Sequence, residues 1–148
     1  MRIKYMYFLT FLFLLWACGK SKYEDNIPDK EVSFNVFPLI DFDKALTSPG
    51  GLVVTKSCNH NNGQSCGYKD HGIFVCRMIT SDSYAAYAAT CPIDLTELQI
   101  EKDKVLKVKC SKCNRVFELD NNGLSGNARL RGYKIISHIQ YFTVQSYL

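Results

Sequence analysis

The 148-residue chain holds no stretch with convincing helical periodicity over ten or more residues, which argues against a helix bundle or an α/β layer. It has no Gly-rich phosphate loop, no Ser-His-Asp pattern and no paired carboxylates in supporting context. Phosphoryl transfer and triad hydrolysis therefore lack their usual residues. No concentrated basic patch is present: 18 Lys and Arg against 14 Asp and Glu give +4, and setting aside Arg2 and Lys4 leaves +2. Nucleic acid is not an expected partner on that balance. Internal repeats and low-complexity tracts are missing too. The length suits one domain and is too short for a TIM barrel or a two-half dinucleotide fold. What the sequence does have is apolar content of 47%, enough for a packed core, and seven cysteines.

The first of these cysteines ends an export-like leader. Met1 to Tyr5 carry two positive charges, and an uncharged run from Tyr7 leads through Leu15-Trp16-Ala17 to Cys18-Gly19. The run is shorter than the ~20 residues of a comfortable membrane span and fits the apolar region of a signal peptide. A small residue before a cysteine at this point resembles the bacterial lipobox, which implies cleavage after residue 17 and lipidation of Cys18. Two or more acyl chains give stable anchoring. Residues 18–31 then read as the lipidated cysteine and a polar tether, and 32–148 as the domain. The expected location is the bacterial cell envelope, at the outer membrane, anchored by lipid. An exporting compartment permits disulfides among the other six cysteines. The leader holds no Arg-Arg pair, so the route that usually exports folded, cofactor-loaded proteins is not indicated.

The body reads as short strands. Apolar or alternating segments occur at Val32–Ile40, Leu52–Thr55, Gly72–Ile79, Tyr84–Thr90, Val105–Lys109, Arg115–Leu119, Tyr133–Ile136 and Tyr141–Val144. Turn clusters at Thr47–Gly51 and Asp120–Gly123 punctuate them. The polar segment Lys56–His71 is expected to be a loop or long hairpin. Lys102, Lys104, Lys107 and Lys109 are expected on the solvent face of a strand. Many short strands at close spacing predict an all-β fold, an antiparallel sandwich or barrel.

Two cysteine boxes carry the candidate chemistry. The first is Thr90-Cys91-Pro92-Ile93-Asp94-Leu95. The second, Cys110-Ser111-Lys112-Cys113, begins after sixteen residues following Ile93. After it come Phe117-Glu118-Leu119, Ser125-Gly126-Asn127-Ala128 and Leu130-Arg131-Gly132-Tyr133.

These boxes and the tail behind them resemble a Rieske-type ferredoxin domain, and the resemblance covers the whole body from Val32 to Leu148. Such domains carry a C-x-H box, about 16 residues, then a C-x-x-H box, with the leading cysteines on one iron of a [2Fe–2S] cluster and the histidines on the other. The resemblance implies a Rieske-like antiparallel β-fold with the two box loops at one tip. It also implies electron transfer to a redox protein partner rather than a self-contained enzyme. Here Cys91 and Cys110 hold the leading positions. Ile93 stands at the first histidine position and cannot bind a metal, whereas Cys113 at the second can. Asp94 is the nearest substitute, one residue out of register.

Three readings of Cys91, Asp94, Cys110 and Cys113 stay open: an altered [2Fe–2S] centre, a zinc site, or no metal at all in a binding or structural lipoprotein that keeps the fold. Within Lys56–His71, a Cys58–Cys66 disulfide is the plain expectation. His60 or His71 would serve as a further ligand only if that loop reached the tip. Cys76 reads as a buried core thiol.

Overall fold

A computed structural model describes residues 25–58 and 66–147, apart from the side chains of residues 41–43. The leader, Cys18 and His60 lie outside the described residues. Among the described residues there is no α-helix, and no helix is long and apolar enough to cross a membrane.

The strands are β1 (Ser33–Val36), β2 (Leu52–Thr55), β3 (Ile73–Arg77), β4 (Tyr84–Ala88), β5 (Leu98–Ile100), β6 (Lys107–Cys110), β7 (Val116–Glu118), β8 (Leu124–Ser125), β9 (Ala128–Arg129), β10 (Gly132–Ser137) and β11 (Phe142–Gln145). Every pairing is antiparallel. One sheet runs β1-β11-β10-β4-β3-β2 and the other β5-β6-β7-β8-β9.

The β3–β4 hairpin explains how two sheets make one body. Side chains alternate across a strand. Ile73 and Val75 of β3, with Ala86 and Ala88 of β4, pack into one core cluster with Phe34, Val36, Phe142 and Val144. All of these belong to the six-stranded sheet, which is therefore curled on itself. Phe74 and Cys76, with Tyr87, face the other way into a second cluster with Leu98, Val108, Cys110 and Phe117 of the smaller sheet and Leu119 just after β7. A strand covered on both faces loses its polar alternation, which is why residues 73–76 are wholly apolar and wholly buried. Cys76 is one of them, and burial pushes its thiol up to about 12, so it is inert packing.

Two expectations change at the edges. Asp25–Glu31, read as tether, belongs to the packed body as far as Ile27, which is 4% exposed. Arg131 holds that segment through Asp25 and Asp29 and the Ile27 carbonyl. The four lysines do not share one strand face. Lys102 and Lys104 fall in the β5–β6 turn, where Lys104 pairs with Glu101. Only Lys107 and Lys109 lie on β6, where Val108 and Cys110 take the buried alternate positions. Lys107 is bonded across to Glu118 at 2.6 Å.

Candidate metal centre

β4 continues past Ala88 to Thr90, which bridges to Glu97 and so closes a tight turn over Cys91–Thr96 before β5 begins. Strand β6 ends at Cys110, and a second tight turn over Cys110–Arg115 leads into β7. Leu98 lies opposite Cys110 in the β5–β6 ladder. Because that ladder is antiparallel, the start of β5 and the end of β6 meet at one end of the sheet, and the two turns stand side by side. This is the placement the Rieske resemblance implies: antiparallel β-structure with both cysteine boxes at one tip.

The two turns have the same internal wiring. In the first, the Cys91 N–H donates to the Thr96 carbonyl at 2.8 Å; in the second, the Cys110 N–H donates to the Arg115 carbonyl at 2.9 Å. Each bends through one left-handed residue four places after its leading cysteine, Leu95 at φ 55° and Asn114 at φ 59°. Asparagine tolerates this region, whereas leucine must be held there by its surroundings. Leu95 is held by contact with the first core cluster.

This wiring decides which side chains meet. The donor atoms of Cys91, Asp94, Cys110 and Cys113 all lie within 4.8 Å of one another. Cys91 Sγ is 3.8 Å from Cys113 Sγ and 3.8 Å from Asp94 Oδ2, and Cys110 Sγ is 3.4 Å from the same carboxylate oxygen. Ile93 packs against the second core cluster. Asp94, which looked one residue out of register, occupies in the first turn the position that Cys113 occupies in the second.

Electrostatics sort the four donors. Burial works to raise the Cys110 thiol. The N–H groups of Cys113 and Lys112 and the Thr96 hydroxyl outweigh it, so Cys110 sits below the usual thiol range. The Thr96 Oγ1–Cys110 Sγ distance is 3.3 Å, and the Cys113 N–H donates to the same sulfur at 3.5 Å. Burial dominates at Cys91 and raises it. At Cys113 burial and the neighbouring carboxylate push the thiol up to about 12. Asp94 is held below the usual carboxylate range, first by the Cys113 thiol, then by Cys110 and the Lys112 ammonium, which stands 4.0 Å from Asp94 Oδ1.

The described residues on either side of the Cys58–Cys66 disulfide pack beside the first turn, and none of them joins the donor set. Cys58 and Cys66 are bonded, with Cα atoms 5.0 Å apart. The Gly72 carbonyl accepts from the Ala89 N–H, and Lys56 pairs with Glu97 at 2.6 Å. His71 Nδ1 lies 3.0 Å from Thr90 Oγ1; His71 is not one of the four donors. The residue that sequence reasoning passed over is Thr96. Its only signal was its place five residues after Cys91, matching Arg115 after Cys110.

No protein-family model matches the chain, and no curated protein does. Two solved structures are similar to it, both described as the oxygenase and ferredoxin complex of carbazole 1,9a-dioxygenase, in two oxygenase variants. Identities are 13% and 12%, each with a TM-score of 0.46, over 82% of this chain and 29% of the matched chain. The chain thus spans less than a third of the length of the chains it matches.

Proposed function

We propose that this is a metal-binding domain held by lipid in the bacterial cell envelope. The observation that carries the metal is the convergence of three thiols and one carboxylate, from two separate turns, within 4.8 Å. Three soft thiolate donors select zinc or iron over magnesium or calcium. The donors sit at the tip of the body, with Cys91 and Cys110 buried and Cys113 partly exposed. The envelope placement rests on the leader sequence and on Cys18.

The test is metal analysis, with a visible spectrum, on the full chain isolated anaerobically from membranes in detergent. Bound zinc or iron that is lost in Cys110→Ser supports the reading; a metal-free protein overturns it. Electron transfer to a protein redox partner, which the Rieske resemblance implies, requires an iron centre. The same sample would show it as visible absorption that bleaches on reduction. Placement is tested separately: Cys18→Ser moves the protein from the membrane fraction to the soluble fraction if Cys18 is the anchor.

A further inference from the structure

The two turns are two copies of one ligand-presenting device. Each opens with a buried cysteine, Cys91 or Cys110. Each closes with an N–H to carbonyl bond from that cysteine to the residue five places on. Each bends through a left-handed residue at the fourth place. A backbone of this shape offers side chains at its first and fourth positions to a common point. In the second turn those are Cys110 and Cys113; in the first they are Cys91 and Asp94.

The separations identify what fits at that point. Around a tetrahedral zinc with Zn–S near 2.3 Å and Zn–O near 2.0 Å, the edges of the donor tetrahedron are about 3.8 Å for S···S and about 3.5 Å for S···O. The observed values are 3.8 Å for Cys91–Cys113, 3.4 Å for Cys110–Asp94 and 3.8 Å for Cys91–Asp94. A [2Fe–2S] cluster divides its four ligands between two irons. Donors on different irons are then separated by the whole rhombus of irons and bridging sulfides, farther apart than any pair here. The third position of the first turn, where a Rieske box has its histidine, is Ile93, which has no donor atom and packs against the second core cluster. The residues present do not fit a two-iron cluster.

Resting on the metal-binding reading, we infer that the centre holds a single four-coordinate zinc ion, with Cys91, Cys110, Cys113 and Asp94 as its complete ligand set. Three thiolates and a carboxylate leave the complex with a net double negative charge. The Lys112 ammonium beside Asp94 and the two donors on Cys110 Sγ offset that charge.

The test is a titration of the full chain in detergent, stripped anaerobically by chelator, with Co²⁺ as the spectroscopic probe and Zn²⁺ as competitor. The expected result is saturation at one equivalent, with tetrahedral cobalt bands and thiolate-to-cobalt charge transfer, both erased by one equivalent of zinc. Asp94→Cys should raise the charge-transfer intensity by about a third, as three thiolates become four. Asp94→Asn, of nearly identical shape, should keep the thiolate bands and weaken binding at least tenfold. Ile93→His should leave stoichiometry and bands unchanged. Two irons with acid-labile sulfide in the isolated protein would overturn the single-ion inference and leave metal binding standing. So would saturation at two equivalents, or an Asp94→Cys spectrum identical to the wild type. Failure to bind any metal would overturn both readings.

Discussion

Cys91–Thr96 and Cys110–Arg115 trace the same backbone path in different surroundings. The first turn is set by the core: Cys91 and Pro92 are buried, Ile93 packs on one hydrophobic cluster and Leu95 on the other. The second leans into solvent, with Ser111, Lys112 and Asn114 exposed. It is fixed instead by polar contacts, chiefly Arg115 reaching the Ser125 carbonyl and the Asn127 side chain. One half of the site is thus shaped by packing that exists without any ion. The other half is shaped by hydrogen bonds and, in the proposed state, by the ion itself. In a site split this way the first turn is the rigid half by virtue of its packing, and the solvent-facing second turn is the softer one.

The comparison breaks most severely at Cys110, the donor that both turns support. Cys110→Ser is expected to abolish metal retention, a loss beyond the roughly 10–100-fold typical of removing a supporting hydrogen-bond partner. Metal content after gel filtration reads it directly. Retention of a full equivalent would mean that the softer turn is not part of the site.

Next in size is the disulfide beneath the rigid turn. Cys58 and Cys66 are eight residues apart, and closing so short a loop restrains the unfolded chain by about 2.5 kcal/mol. The double variant Cys58→Ala/Cys66→Ala should lose about that much in urea unfolding while still binding one equivalent of metal. A simultaneous loss of stoichiometry would show that the first turn is shaped by the disulfide loop rather than by Ile93 and Leu95.

Thr96 sharpens the comparison because it belongs to the rigid turn and acts on the soft one. Its hydroxyl lies 3.3 Å from Cys110 Sγ. Thr96→Val keeps the shape and removes the donor, so metal affinity should fall about tenfold, and Thr96→Ser should restore it. Chelator competition measures both. An unchanged Thr96→Val would mean that the backbone N–H groups of Cys113 and Lys112 support that thiolate without the hydroxyl.

These predictions rest on features of unequal legibility in the sequence. Leu52–Thr55 could be read to the residue, because an apolar run of that length between turn clusters has few other outcomes. Strands β8 and β9, two residues each, carry no period to read, and their pairing is set by the turn between them, where Gly126 bends left-handed at φ 60°. Strand β5 leaves Gln99 and Ile100 exposed, so its hydrophobic pattern misleads; Ile100 is in the ladder for its backbone. Both cysteine boxes are visible as ligand groups in the sequence, but a C-x-H pattern points to Ile93 rather than to Asp94. The equal three-residue steps from Cys91 to Asp94 and from Cys110 to Cys113 were legible all along. What sequence could not supply was the left-handed Leu95, a conformation that leucine adopts only because the tertiary core grips it.

The smallest expected effect concerns the groups packed behind the rigid turn. His71 bonds to the Thr90 hydroxyl, and burial lowers its pKa below the ordinary 6.5; Glu97 opposes the shift, Lys69 and Lys56 add to it, and Asp70 opposes it. A histidine depressed in the folded state binds fewer protons there than in the unfolded chain. Stability then rises with pH across that interval. The contribution is complete above the unfolded value and declines as pH falls through 6.5 toward the lower folded value. His71→Gln can keep a hydrogen bond to Thr90 but cannot titrate. Urea midpoints taken at about pH 7.5 and about pH 5.5 should therefore show the wild type losing more than the variant on acidification. The reverse order would mean that Glu97 and Asp70 outweigh burial at His71. The wall behind Thr90 would then be a charged one, and the first turn less a product of packing than the second.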